Sequence, residues 1–216
     1  MANFDVQILD LVNADYSDQT AMDGWATDAV KEITNILPIN LKEKCITETT
    51  LNNSATTMDM DGVGEILYVN RLSADSGGSR IPCRKIPSMY GELANDSNSL
   101  YKASVTDPVY WILSSGDAAI LNVIPTPTAN QTAIVYHVGY TTVDVSAVNT
   151  IANFPDEAEY LVVLYTAIKV AESLMVSEED LELYAPIIST LKQDYDKGIT
   201  MLAAQGIPKP QQREAK

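Results

Sequence analysis

The sequence predicts an α+β protein in which helices at both ends flank a β-rich middle. Apolar residues recur at helical spacing over residues 18–37 and again over residues 155–204. Between them, short runs of alternating apolar and polar residues are separated by Gly, Pro, Asn and Ser. We therefore expect an N-terminal amphipathic helix, an antiparallel β-meander, a C-terminal α-helical hairpin and an extended C-terminal tail.

Length and composition set the expected domain organisation. The 216 residues, 46% of them hydrophobic, suffice for one large domain. We predict a single domain over residues 1–205, with helices in 4–37 and 155–204 forming a bundle around a β-rich insertion at about 44–142. Residues 206–216 show no periodicity and are predicted to be a flexible tail.

The sequence gives no sign of secretion, membrane insertion or disulfide bonding. The N-terminus has neither the basic nor the apolar segment of a signal peptide. No apolar run approaches the roughly 20 residues that cross a bilayer, so we expect a soluble protein without a membrane partner. Cys45 and Cys83 are too few for a disulfide scaffold, and we expect both to be reduced and buried.

The net charge of −15 is concentrated in the predicted helices. Residues 1–37 carry −6 and residues 153–200 carry −7, whereas residues 38–152 carry −4 and residues 201–216 carry +2. A surface of this kind repels nucleic acid. Two interpretations remain open: the charge keeps the protein in solution, or it lines a channel through which DNA passes without adhering.

Local signals predict where the helices begin and end. Ser17 is the predicted N-cap of the first long helix, and Pro38 ends it. Pro155 suits the first position of the hairpin, and Ser177 is the predicted cap of the second arm. Pro186 is expected to kink that arm or to separate its first turn.

The middle of the chain contains six predicted strands. They lie at residues 45–51, 64–72, 80–86, 109–113, 118–124 and 132–140. Pro82 restricts its strand to a sheet edge. Residues 87–107 form a mostly polar loop that we expect to be anchored by Ser88, Met89 and Tyr90 and by Leu100 and Tyr101.

The residue types that carry catalysis are sparse. His137 is the single histidine, and its place in an alternating strand indicates a packed or surface side chain. Asp59 and Asp61 resemble the start of a calcium loop, but Gly62 follows too early, so a turn is expected. We predict no cofactor, no metal site and no enzymatic activity; a hydrolase using Asp59 and Asp61 is the enzymatic alternative.

Arg71, Arg80, Arg84 and Lys85 form the one local basic cluster. If their strands pair, these side chains lie close together. They either balance neighbouring acids or face an acidic protein surface.

Three segments carry a resemblance to a known family. They are residues 25–33, the strand residues 107–112 with 121–127, and residues 154–169. In these segments, and in the order helix, strands and acidic hairpin, the whole chain resembles the head-to-tail adaptor proteins of tailed bacteriophages.

The resemblance implies a virion structural protein at the head–tail junction. Family members form homo-oligomeric rings, typically of about twelve subunits, beneath the portal protein and around a DNA channel. Their C-terminal segment often contacts the portal, and the β part tends to face the next tail or nozzle protein. The alternative is a tail, neck or baseplate β-type binding module that contacts other virion proteins or a host glycan.

Two sets of candidate residues follow from this resemblance. The candidate portal-docking residues are Ile207, Pro208, Lys209, Pro210 and Arg213. The candidate channel-lining acids are Glu172, Glu178, Glu179, Glu182, Asp194 and Asp196.

Overall fold

The structure, a computed structural model, describes residues 2–73, 78–115, 118–177 and 180–205. It divides the chain into two compact units. Unit 1 is formed by Met1–Cys45 with Tyr140–Lys216, and unit 2 by Ile46–Gly139. Unit 1 holds the long helices, and unit 2 holds all the described strands.

Unit 1 begins with three helices: α1 (Phe4–Val12), α2 (Gln19–Ile36) and α3 (Ile39–Lys42). The long helix α2 confirms the predicted amphipathic helix and ends just before Pro38. Its N-cap is Asp18, whose carboxylate accepts the Ala21 N–H at 3.0 Å, so the prediction of Ser17 as the cap was wrong. A carboxylate at this position has the further advantage of the positive end of the helix dipole.

The C-terminal hairpin consists of α5 (Asp156–Ser177) and α6 (Leu181–Gln205). Helix α5 packs against α1, α2 and α6, so it is apolar on most of its circumference. Among the described helices it alone is long and apolar enough to cross a membrane, with a mean hydropathy of 1.4. Its burial within the bundle accounts for that composition.

The turn of the hairpin differs from its prediction. Ser177 is the last residue of α5, where its hydroxyl donates to the Leu174 carbonyl at 3.2 Å. The cap of α6 is Asp180, which accepts the Leu183 N–H at 3.0 Å. Pro186 lies inside α6 without separating its first turn. Because proline has no N–H, the carbonyl group four residues earlier in the helix lacks its usual donor. Pro186 is exposed, so water can hydrogen-bond to that carbonyl instead.

Unit 2 contains eight described strands. They are β1 (Ile46–Leu51), β2 (Thr57–Asp59), β3 (Ile66–Leu72), β4 (Arg80–Pro82), β5 (Arg84–Lys85), β6 (Val109–Ser115), β7 (Ala118–Ile124) and β8 (Ala133–Val138). They form two four-stranded sheets with the orders β1-β8-β3-β4 and β2-β7-β6-β5. Side chains from both sheets share one apolar core around Leu51, Val69, Leu121 and Val135.

The predicted β-meander was wrong in its connectivity. Strand β8 inserts between β1 and β3, and β5 pairs in parallel with β6. The predicted strand at 80–86 is divided at Cys83, so that its halves join different sheets. These pairings join residues far apart in sequence, and alternation alone does not encode them. Pro82 does lie in an edge strand, as predicted.

Residues 86–107, here called the 86–107 segment, connect β5 to β6. The segment contains a 3₁₀ turn (Ser88–Tyr90) and the short helix α4 (Gly91–Asn95). Gly91 packs so closely on the Trp111 ring that a Cβ there would lie 2.5 Å from a ring carbon. Of the predicted anchors, Tyr90 is partly buried, whereas Ser88, Met89, Leu100 and Tyr101 are exposed. Two small residues, Ala94 and Ala103, make the buried contact of the segment instead.

Together these units confirm the predicted α+β class with a C-terminal helical hairpin. Residues 206–216, the predicted tail, lie outside the described residues.

Candidate assembly surfaces

Acidic side chains near the start of α5 are tied to other parts of unit 1. The Lys44 ammonium donates to both carboxylate oxygens of Glu157 at 2.9 Å, and this contact lowers the pKa of Glu157. The Glu159 carboxylate accepts the Ile151 N–H, although partial burial raises the pKa of Glu159. Glu157 and Glu159 therefore stabilise the N-terminal end of the α5 dipole and also hold neighbouring segments of unit 1 in place.

Glu172 joins the two arms of the hairpin. It accepts from Lys169 on α5 at 3.2 Å and from Lys192 on α6 at 2.9 Å. Partial burial alone would raise the pKa of Glu172, but the hydrogen bonds from Lys192 and Lys169 outweigh it and leave this pKa lowered. Glu172 is thus held ionised between two cations.

We expect Glu172→Gln to lower the free energy of unfolding by about 0.5–1 kcal/mol at pH 7, since the ion pairs are partly exposed. Because the folded-state pKa is depressed below 4.5, the pairs stabilise the fold above that pH. This contribution disappears as the pH falls through the folded-state pKa. Urea denaturation of the variant and the wild type at pH 7 and at successively lower pH measures the difference and the pH at which it disappears. Asp194→Asn is the control, because the ion pair between Asp194 and Lys197 lies within α6 and does not join the two arms of the hairpin.

An aromatic cluster joins α5 and α6 to α2. The Tyr165 and Tyr195 rings are 5.9 Å apart, and the Lys169 ammonium lies 5.6 Å from the Tyr165 ring centre. The Tyr195 hydroxyl donates to Glu32 on α2 at 3.4 Å. Burial and the nearby Glu32 charge raise the pKa of Tyr195, so this phenol stays protonated and keeps donating.

The structure separates the candidate channel acids. Glu172 and Asp196 line one surface groove of about 460 Å³, together with Lys192. Asp194 lines a different groove. Glu182 is exposed on the first turn of α6, about 40° around the helix from Asp196.

Glu178 and Glu179 lie outside the described residues. So do Ile207, Pro208, Lys209, Pro210 and Arg213.

An apolar groove of about 400 Å³ lies between α1, α5 and α6. Here it is called the hairpin groove, and its lining includes Leu11, Tyr160, Pro186, Ile187, Leu191 and Asp194. Tyr160 falls on the apolar face that helical spacing predicts for α5, but it is 55% exposed at this groove. Leu181, at the start of α6, is likewise exposed. Exposed apolar side chains grouped in this way are a candidate contact surface for another molecule.

The 86–107 segment presents a second apolar surface, in unit 2. Leu100 is fully exposed, Met89 is 75% exposed and Tyr101 is 56% exposed. Tyr101 stacks on Tyr90 with 4.9 Å between ring centres. The sequence did not predict this surface, because the identity of an apolar residue in a loop does not show whether its side chain points outward or inward.

The basic cluster does not form a single surface. Arg71 is buried and hydrogen-bonds to backbone carbonyls, including Pro125 O at 2.8 Å. Arg84 pairs with Asp107 at 3.0 Å. Arg80 and Lys85 are exposed on edge strands. The cluster therefore contains one structural residue and three surface residues.

The candidate catalytic side chains take part in local structure. His137 Nδ1 lies 3.2 Å from the Val138 carbonyl, which only accepts, so that nitrogen carries the proton. His137 Nε2 then accepts from the Thr49 hydroxyl at 3.0 Å. Asp59 accepts the Asp61 N–H at 3.0 Å within a turn. Within the described ranges, no group of three or more His, Cys, Asp or Glu is placed to hold a metal ion.

The described structure combines a helical bundle, a two-sheet β unit and exposed apolar side chains in both units. The sequence profile of the SU10 adaptor protein family matches residues 5–213, which is nearly the whole chain. The chain belongs to this family of phage head-to-tail adaptors. A comparison with curated proteins gave no match.

Family membership assigns the chain to a class and a place. It is a structural component of the phage virion at the head–tail junction. Its role as an adaptor implies contact with other virion proteins, such as the portal and the tail.

Proposed function

We propose that copies of this protein assemble into a ring beneath the portal, that DNA passes through the centre of the ring, and that the protein catalyses no reaction. The observation that carries the proposal is the surface of the helical bundle. Its interior is filled by α5, yet the hairpin groove leaves apolar side chains in water. Identical copies packed side by side would cover such a surface.

The charge of unit 1 supports passage of DNA through the ring. Its described residues include 17 acidic and six basic residues. The six basic residues are all lysines, and they lie on the same helices or loops as the acidic residues. A wall with this excess of negative charge gives DNA no site to adhere. Glu172 and Asp196 share one groove with Lys192, so the negative charge of this groove is partly neutralised. We propose this face of the hairpin as the channel wall because unit 1 as a whole carries an excess of acidic residues, and we exclude Asp194 from it.

The absence of catalysis is supported by what the candidate groups already do. His137 uses both ring nitrogens in hydrogen bonds inside the β unit. Asp59 uses a carboxylate oxygen to close a turn. A catalytic base needs a free lone pair directed at a substrate, and these contacts leave neutral His137 without one.

Negative-stain imaging of the protein mixed with its portal tests the proposal. We expect a ring stacked coaxially on the portal, with about twelve copies per portal ring. Protein imaged alone is the control, since assembly that needs the portal gives monomers there. A protein that stays monomeric in the presence of the portal contradicts the proposal.

A second candidate is a β-type module of the tail, neck or baseplate that contacts other virion proteins or a host glycan. The exposed apolar side chains of the 86–107 segment favour it. Under this alternative, portal attachment is weak and does not depend on residues 206–216.

A further inference from the structure

We propose that one edge of unit 2 is a docking surface for the acidic helical unit of a neighbouring copy. The edge consists of residues 80–85, here called the basic edge, and its charged side chains Arg80, Arg84 and Lys85 are all exposed. The inference rests on the proposed ring and names a surface that holds neighbouring copies of the ring together.

The basic edge is a fixed part of the β unit. Strand β4 is the edge strand of one sheet, β5 is the edge strand of the other, and only Cys83 lies between them. Cys83 is buried in the core that the two sheets share, and its N–H donates to the Val69 carbonyl at 2.7 Å. The Arg84 N–H donates to the Pro108 carbonyl at 2.8 Å. A backbone held on both sheets loses little conformational entropy on binding, which favours a specific contact.

The positive charge of the basic edge is only partly balanced within unit 2. Strands β4 and β5, and the strands β3 and β6 that pair with them, contain no Asp or Glu. Arg84 forms an ion pair with Asp107, so the edge together with Asp107 has a net charge of +2. In the part of the chain that the structure describes, no carboxylate forms an ion pair with Arg80 or Lys85. Two cations are thus left for a partner in a chain of net charge −15.

Unit 1 has the opposite imbalance. Its described residues include 17 acidic residues and six lysines, and five of those lysines already form ion pairs within unit 1. Six cations cannot pair with 17 carboxylates, so most acidic side chains of unit 1 are left for a cation from another copy. Charge complementarity therefore favours unit 1 of a second copy as the occupant of the basic edge.

Nucleic acid fits the basic edge less well than an acidic protein surface does. Binding to a phosphate backbone grows with the number of phosphates that Lys and Arg neutralise, and this edge has only three cations, one of them already paired. The remaining charge of the chain repels DNA. Arginine, in contrast, is well suited to bidentate contact with a carboxylate.

The basic edge and unit 1 are different patches of one chain, so their contact between copies is heterologous. A heterologous contact repeated around an axis can close into a ring, whereas a contact between like patches stops at a dimer. The proposed contact is therefore of the kind that cyclic assembly requires.

Carbodiimide coupling in full-length protein bound to its portal tests this contact. The reagent joins a lysine amine to a touching carboxylate as an amide and takes up the water that is lost. Rings assembled from equal amounts of unlabelled and heavy-isotope-labelled protein identify links between copies by mass spectrometry. We expect mixed-label links from Lys85 to acidic residues of unit 1. The matched control is Lys102, an exposed lysine of unit 2 outside the edge, which should give at least about tenfold fewer such links.

The double variant Arg80→Glu with Lys85→Glu supplies an independent measurement. Both side chains are exposed, so the change should leave the thermal unfolding of the isolated protein unaltered. We expect it to raise the protein concentration for half-maximal ring formation on the portal at least about tenfold, because attraction to an acidic surface becomes repulsion. Added salt should weaken assembly of the wild type in the same direction. Lys102→Glu should change that concentration less than about threefold.

The outcomes separate this inference from the proposed function. If wild-type rings form on the portal, either the absence of mixed-label links from Lys85 to unit 1 or normal assembly of the double variant overturns the contact and leaves the ring intact. Links from Lys85 to the portal or to a tail protein alone also overturn it, as does duplex DNA that the wild type retains and the double variant releases. Failure of the wild-type protein to form a ring overturns both.

Discussion

Replacing Arg71 with leucine is expected to destabilise unit 2 by about 3 kcal/mol. The Arg71 guanidinium is 1% exposed and donates to Pro125 O at 2.8 Å, Leu72 O at 3.0 Å and Gln131 Oε1 at 3.0 Å. No acidic side chain in the described part of the chain forms a salt bridge with it. Leucine would leave these partly buried acceptors without their donor, and the cost of each lost bond approaches about 1–3 kcal/mol, the value for a fully buried group, only as far as water is excluded.

The measurement is urea denaturation followed by tryptophan fluorescence. The chain has two tryptophans, Trp25 in unit 1 and Trp111 in unit 2. A Trp25→Phe background therefore reports on unit 2 through Trp111. Arg84→Leu is the matched control: its ion pair with Asp107 is more than half exposed and should contribute at most about 1 kcal/mol. Equal effects of the two substitutions would show that Arg71 does not have the structural role described.

Deleting residues 206–216 is expected to abolish attachment to the portal while leaving the fold unchanged. The deleted segment follows α6 and carries three basic residues and one acidic residue in a strongly acidic chain. Its removal leaves the packing of α5 against α6 complete. Pull-down of the deleted protein by immobilised portal measures the effect, and we expect a loss of at least 100-fold in affinity.

Two double substitutions within the same segment make the test specific. Lys209→Ala with Arg213→Ala removes both charges among the candidate docking residues, and Gln211→Ala with Gln212→Ala changes neighbouring uncharged residues. We expect the first pair to weaken binding and to reduce its dependence on salt, and the second pair to have little effect. Retained portal binding by the deleted protein would favour the β-type module instead.

The helices could be read from the sequence because their signals are local. Apolar spacing and Pro38 place α2 within one or two residues of its observed ends. The caps were each misassigned to a nearby serine, Ser17 or Ser177, where Asp18 or Asp180 does the capping. Both residue types are good caps, and the sequence does not distinguish which side chain reaches the free N–H groups.

The sequence predicts individual strands but not how they pair into sheets. Alternation located β3, β6 and β7, but the order of strands depends on pairings such as Ile46 with Val138. The three-residue strand β2 is too short to show a period. Arg71 illustrates the same limit. In the sequence it belongs to a cluster of basic residues, and nothing in that pattern shows that its side chain is buried.

The candidate site was predictable as a region and not as a set of residues. The acidic hairpin was identified from composition, yet Glu172 is held by two lysines and Asp194 lies on another face from Asp196. Leu100 was predicted to anchor its loop and is exposed, and Tyr160 is exposed although it falls on the apolar face of α5. The spacing of apolar residues does not show whether a side chain is buried in the core or exposed at the surface.

The central claim is that the hairpin forms the wall of a DNA channel within a ring on the portal. A cryo-electron microscopy reconstruction of the protein bound to its portal tests it most directly. We expect a closed ring in which Glu172 and Asp196 face the central axis and Asp194 faces a neighbouring copy. A ring with Glu172 and Asp196 on its outer wall, or density for single copies scattered on the portal, would contradict the claim.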